Sequence, residues 1–192
     1  MFDEPEIRPE VQAWLQERAA PRPGAAARYE TLDGEQVALP PPGEAHSACV
    51  NRLARLLTEA VGDGGLVSVH SPIRLDEASE PCPDVALLEP RDDGYSSGFP
   101  EPTDVLLLVE VAASSFGLTH NRGRKAGHYA RSGIPECWVV DLVSSQVLVH
   151  RDPASGGYRD IRNLRGDAVL RVQARPAVTF KVGDVLGEPA QQ

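Results

Sequence analysis

Two carboxylates carry the first chemical suggestion. Asp84 follows Pro83 directly and opens an apolar run to Leu88, and Glu110 lies near the end of a second run from Val105 to Val111. An isolated ionised carboxylate is costly to remove from water, so a pair on neighbouring apolar strands binds a cation or faces a cleft. The plainer alternative leaves each at a strand end in water or paired with a nearby Arg. A second feature lies immediately downstream. Between Glu110 and Glu136, 25 consecutive positions hold no Asp or Glu, while Arg122, Arg124, Lys125 and Arg131 lie there with His120 and His128. The window therefore carries +4, and the rest of the chain, with 15 basic and 28 acidic side chains, carries −13. Such a window is either a local phosphate-friendly surface or a solvated basic helix face.

Spacing ties the two features together. On a helix after Asn121, positions 122, 125 and 129 fall on one face, so Arg122, Lys125 and Tyr129 point the same way. If that face looks onto the strand ends with Asp84 and Glu110, two carboxylates can hold a divalent metal beside one ammonium. That combination suits phosphodiester hydrolysis, because the ion stabilises the pentacovalent charge and activates water while the lysine orients the nucleophile or offsets charge. Gly123 and Gly127 each cost a helix roughly 1 kcal/mol relative to Ala, which predicts close packing or a close approach to the backbone. His46, at the start of another helix, reads by itself as a surface or capping residue. Glu44 is a further candidate acid or a solvated one, and Tyr95 and Phe99 sit in a Gly-containing loop that contacts substrate or simply connects.

The elements that must position these residues follow from apolar periodicity. Val11, Trp14 and Leu15 predict a short N-terminal helix ending near Arg18. Asp33-Gly34 between Tyr29-Glu30-Thr31-Leu32 and Gln36-Val37-Ala38-Leu39 predicts a hairpin. From Ala45 to Val61 the apolar Cys49, Val50, Leu53, Leu56, Leu57 and Ala60 share a face opposite Asn51, Arg52, Arg55 and Glu59, which predicts a helix closed by Gly62. Strands are predicted at 66–70 with 73–75 as a continuation, at 84–88, 105–111, 137–141 and 146–150, at Tyr158-Arg159 and at 178–182, with a helix from Asn121 to Ser132. The near-continuous apolar runs predict central strands covered on both faces. The order predicts an α/β fold, a mixed β-sheet flanked by helices.

The 192 residues suit one domain with a real core. A formal net charge of −9 argues against bulk electrostatic coating of nucleic acid. No apolar run approaches the roughly 18 residues a membrane span needs, and the acidic start lacks the basic character of a targeting peptide, so a cytoplasmic protein without membrane contact is expected. Cys49, Cys82 and Cys137, odd in number and without CxxC spacing, are expected to be buried, reduced thiols. Trp14 and Trp138 are expected in the core or at a subunit contact.

Pro83-Asp84, Glu110-Val111 and the run Asn121-Arg122-Gly123-Arg124-Lys125-Ala126-Gly127-His128-Tyr129 resemble the Uma2 family of the PD-(D/E)XK nuclease superfamily. The likeness continues through Ser132-Gly133-Ile134-Pro135-Glu136-Cys137-Trp138-Val139-Val140-Asp141, similar to the family's aGvpEyWlvD stretch, and includes Thr31-Leu32-Asp33-Gly34-Glu35 and the helix near His46. The resemblance implies a restriction-endonuclease-like core over residues 29–182, preceded by an N-terminal helix and linker (1–28) and followed by a tail (183–192). It implies a metal-dependent DNA endonuclease with Asp84 and Glu110 as metal ligands and Lys125 as the catalytic lysine. In this family that lysine is displaced from the strand to the helix, which fits Ala112 two residues after Glu110. Arg122, Tyr129, His46 and Asn121 would support the site. Mg²⁺, with Mn²⁺ as a substitute, is the implied ion, DNA the partner near the Lys125 helix, and a homodimer the expected assembly. The chain departs from the family where E-V-x-S-P-S-T becomes Glu110-Val111-Ala112-Ala113-Ser114-Ser115-Phe116 and where D-R-x-x-K begins with Asn121. These departures keep a second expectation open, a catalytically silent nuclease-fold module for nucleic-acid or protein binding.

Overall fold

The computed structural model describes residues 28–39, 41–114, 117 and 120–187, so the expected N-terminal helix, with Trp14, and Phe116 lie outside the described residues. Strands β1 (Arg28–Leu32) and β2 (Glu35–Leu39) form the expected hairpin. Its turn places both Asp33 (φ 52°) and Gly34 (φ 77°) in the left-handed region, the conformation a tight two-residue hairpin requires. Helix α1 (Glu44–Val61) follows, and its buried Cys49, Val50, Leu53 and Leu57 are the residues its periodicity singled out.

The central sheet has six strands in the order β3-β4-β5-β6-β7-β8. These are β3 (Leu66–Val69), β4 (Val85–Leu88), β5 (Val105–Ala112), β6 (Glu136–Asp141), β7 (Gln146–Ala154) and β8 (Gly157–Arg165). Among the described strands only β5 and β6 pair in parallel, and the stretch joining them carries the basic window. Every residue of β4, β5 and β6 is buried because both faces of the sheet are covered. Side chains alternate between two cores. Leu107, Val109, Val111, Trp138 and Val140 pack with α1, whereas Leu108, Cys137 and Val139 pack with Ala126, Tyr129 and Ala130 of α2 (Ala126–Arg131) on the opposite face. The α1 side is completed by β9 (Val169–Arg171), β10 (Thr179–Lys181) and the short α3 (Val182–Leu186), whose Val185 and Leu186 carbonyls accept hydrogen bonds from Arg52.

Three expectations are corrected. Residues 73–75 do not extend a strand: Ile73, Arg74 and Leu75 donate their backbone N–H groups to Pro81, Pro100 and Ser79, three different loop carbonyls. The expected helix from Asn121 to Ser132 is a π-helical stretch, His120–Lys125, followed by α2. Gly123 and Gly127 are not demanded by packing, since a Cβ at Gly123 would meet nothing within 4 Å and one at Gly127 only the tip of Arg131 at 3.6 Å. Cys49 and Cys137 are buried as expected, Cys82 is half-buried where burial was expected, and none of the three is in a disulfide among the described residues. Among the described residues no helix is long and apolar enough to cross a membrane.

Candidate active site

Asp84, Glu110, Lys125 and Tyr129 meet where β4, β5 and the helical stretch converge. Asp84 immediately precedes β4, and its Oδ2 accepts the backbone N–H of Val111 from β5 at 2.7 Å, which fixes the carboxylate beside the neighbouring strand. Glu110, on the α2 face of β5, is 2% exposed. Its Oε1 accepts the Tyr129 hydroxyl at 2.6 Å and lies 2.7 Å from Lys125 Nζ. Lys125 and Tyr129 are four residues apart on successive turns, so they reach one carboxylate oxygen together even though the first of those turns is π-helical. Arg122 and Asn121 also fall on the π-helical stretch, and their side chains lie outside the described residues.

Glu30 was not singled out from sequence, yet it belongs to the same cluster. The hairpin carries it on β1 to 3.0 Å from Lys125 Nζ, which also donates to the Cys82 carbonyl at 3.1 Å. An ammonium has three N–H donors, so Glu30, Glu110 and Cys82 together match its capacity. The hairpin is latched to the loop between β3 and β4 by reciprocal backbone bonds between Thr31 and Glu80. Ion contacts from Glu35 to Arg124 (2.6 Å) and from Asp33 to His128 (3.3 Å) tie it to the helical stretch.

Electrostatics follow from this crowding. Glu30, Asp84 and Glu110 surround one ammonium, leaving an excess of negative charge in a low-dielectric pocket. Burial pushes the Glu110 carboxyl up to about 8, against the attraction of Lys125 and with the repulsion of Asp84 and Glu30 adding to the rise. For Lys125, burial works against the charged form, but Glu110, Glu30 and Asp84 outweigh it and hold the ammonium protonated. Asp84 is also buried, yet the imidazoles of His46 and His70 at its Oδ1 and the more distant Lys125 keep its carboxyl well below the usual range.

His46, in the first turn of α1, stands 3.1 Å from Asp84 Oδ1 through its Nε2, so the structure places it in the cluster rather than at a surface cap. His70, just beyond β3, approaches the same oxygen at 3.3 Å and was not anticipated. The donors fit a divalent cation: one carboxylate oxygen and two imidazoles lie within 4.8 Å of one another, beside a pocket with surplus negative charge. Glu110 stands outside that three-donor grouping, its Oε1 engaged by Lys125 and Tyr129.

Other candidates have local roles. Glu136, inside the Gly-Ile-Pro-Glu-Cys-Trp run, is fully buried and accepts from Trp138 Nε1, Arg151 and the Gln173 backbone, so it braces the sheet against the β9 to β10 loop. Tyr95 donates to the Glu89 carbonyl under the Arg91 guanidinium, Phe99 is covered by Arg74, and Glu44 is exposed. A cleft of about 430 Å³ borders Arg151 and Gln173, the partners of Glu136, and is lined by none of Glu30, His46, His70, Asp84, Glu110, Lys125 and Tyr129.

The sequence model of the Uma2 family, described as "Putative restriction endonuclease", matches residues 15–183. The chain belongs to the Uma2 family. No match is found among curated proteins. Among solved structures, this Uma2 chain is similar to a protein from Anabaena variabilis ATCC 29413 described as "a putative nuclease belonging to DUF820". The two share 17% identity at a TM-score of 0.64, over 82% of this chain and 89% of that one. At that identity the likeness establishes a shared fold, the restriction-endonuclease-like mixed sheet with flanking helices.

Proposed function

We propose that this Uma2 protein is a divalent-metal-dependent DNA endonuclease whose working residues are Asp84, Glu110 and Lys125. The observation that carries the reading is a buried lysine 2.7 Å from Glu110, with Asp84 locked to the next residue of the same strand, in a chain of a restriction-endonuclease family. The resemblance implies Mg²⁺ or Mn²⁺, held by Asp84 and Glu110. Such an ion, when bound, polarises a phosphoryl oxygen and makes water a better nucleophile.

The protein's own residues divide the remaining work. Val111 N–H and Tyr129 hold the two carboxylates in fixed orientations. Lys125 offsets their charge and so lets an anionic phosphate approach. Glu30 keeps the ammonium charged and aimed at Glu110. In the overall step a bond forms from water oxygen to phosphorus, the ester P–O bond breaks, and the proton that the water gives up ends on the leaving oxygen.

The test is cleavage of supercoiled plasmid and single-stranded DNA with Mg²⁺ or Mn²⁺. Asp84→Ala and Lys125→Ala should each lower the rate by at least ~100-fold, the scale of losing one preorganised charge-stabilising group. Equal trace activity in wild type and Lys125→Ala overturns the enzymatic reading. One observation favours a second reading, a silent nuclease-fold module: Glu30, Glu110 and Cys82 already occupy the donors of Lys125. That module would bind DNA or protein without metal-dependent cleavage. A homodimer, which would pair two sites across a duplex, is the proposed assembly, and light scattering after size exclusion should return twice the 20.7 kDa chain mass. The monomer mass alone would refute it.

A further inference from the structure

We propose that His46, His70 and Asp84 form a three-donor site that makes this Uma2 chain select a transition-metal ion, Zn²⁺, Co²⁺ or Mn²⁺, over Mg²⁺. The inference rests on the metal-dependent reading of the same pocket and adds to it the identity of the ion.

The donors converge from three separate elements: the first turn of α1, the residue after β3, and the residue before β4. Antiparallel pairing of β3 with β4 sets His70 opposite Asp84, and its backbone N–H donates to the Asp84 carbonyl at 3.2 Å. His70 holds a φ of 51°, a left-handed conformation that is uncommon for a non-glycine residue. The two imidazoles stack nearly parallel, 6.2 Å between centroids and 9° between planes. Both present Nε2 to the same Asp84 oxygen, at 3.1 and 3.3 Å. An ion with bonds of about 2.1 Å has ligand-to-ligand edges of about 3.0 Å in an octahedron and about 3.4 Å in a tetrahedron, and both contacts fall in that interval.

Hydrogen bonding alone does not account for the cluster. His46 Nδ1 is buried and makes no hydrogen bond among the described residues, and the 3.3 Å approach of His70 Nε2 to Asp84 Oδ1 is a close charge contact without hydrogen-bond geometry. A buried polar atom without a partner costs free energy, and coordination satisfies Nε2 of His70 directly. The donor chemistry then sets the ion. Mg²⁺ prefers oxygen ligands and keeps its waters, whereas imidazole nitrogen suits the later first-row ions.

The experiment is calorimetric titration of the metal-free full chain with Co²⁺, Zn²⁺, Mn²⁺ and Mg²⁺, together with the visible absorption of the Co²⁺ form. Wild type should bind Co²⁺ and Zn²⁺ at least ~10-fold more tightly than Mg²⁺, with Mn²⁺ between them. His70→Gly, which accepts the positive φ and so spares the fold, should weaken Co²⁺ binding by at least ~10-fold and shift the Co²⁺ bands, while Mg²⁺ binding changes little. His46→Gln should do the same independently. Equal affinity of wild type for Mg²⁺ and Co²⁺, or unchanged Co²⁺ bands in both variants, overturns the site. If Asp84→Ala abolishes Mg²⁺-dependent cleavage while both histidine variants keep the wild-type ion preference, the histidine site fails and the nuclease reading stands. If Co²⁺ binds through both histidines and no ion supports cleavage, the site stands and the nuclease reading fails.

Discussion

Glu110 concentrates the electrostatic tension of the pocket in one residue. Its carboxyl, pushed up by burial to about 8 from an ordinary value of 4.5, keeps a proton in the folded protein that the unfolded chain has released. The folded state therefore binds more protons between those two values, and its stability falls as pH rises from about 4.5 to about 8. Glu110→Gln carries no such proton and should flatten that slope. Urea unfolding of both proteins at the two ends of the window measures it, and the wild type should lose more stability than the variant. Equal losses would show that Glu110 ionises normally. Asp84, Glu110, Lys125 and Tyr129 were candidates from type and spacing, because a charge in an apolar run and a shared helical face are local properties, whereas His46 was expected near the cleft only through the family resemblance. Glu30 and His70 were not. Glu30 sits in an ordinary hairpin strand and His70 in an ordinary alternating one, and only the pairing of distant segments turns them toward Lys125 and Asp84.

At the scale of elements, the crossover between β5 and β6 departs most from its sequence pattern. A regular helix was expected over the whole of 121–132, and its first part is instead π-helical, a form found disproportionately at functional sites. The extra residue per turn is not visible to a period of 3.6. Lys125 and Tyr129 still reach Glu110 because they straddle the junction at a spacing of four. The two glycines were expected to mark close packing or a close approach to the backbone, and the first does not hold, since the space beside Gly127 is open except for the flexible end of Arg131. Gly127→Ala in α2 should therefore stabilise the protein by about 0.5–1 kcal/mol without loss of activity. A thermal melt reads the gain, and a fall in stability would mean that the backbone there needs freedom the contacts do not reveal.

Across the whole molecule, the −9 total and the +4 window acquire different meanings once the charges have partners. Lys125 is buried against Glu30 and Glu110, and Arg124 pairs with Glu35, so at most Arg122 and Arg131 of that window remain for phosphate. Affinity for duplex DNA should then fall with a log–log salt slope of about −2, since each neutralised phosphate contributes about −0.9. A fluorescence anisotropy titration over a range of salt measures it. A slope steeper than about −4 would place a larger basic surface elsewhere on the molecule. The same redistribution leaves the interior of the site acidic, which suits a cation held near Asp84 better than a phosphate held by the helix alone.

Composition, periodicity and residue type by themselves determined the α/β class, the buried central strands, the α1 face and the candidacy of Asp84, Glu110 and Lys125, because each depends on neighbours close in the chain. Only the tertiary structure decided that one ammonium serves both Glu30 and Glu110, that two histidines share one oxygen of Asp84, and that Arg124 and Lys125 of the basic window have acidic partners. Those outcomes depend on strand order and hairpin docking, which bring residues 30, 70, 84, 110 and 125 within a few ångströms of their partners. Burial then makes each charge count, since in a low-dielectric pocket a carboxylate must find an ammonium, a proton or a metal ion.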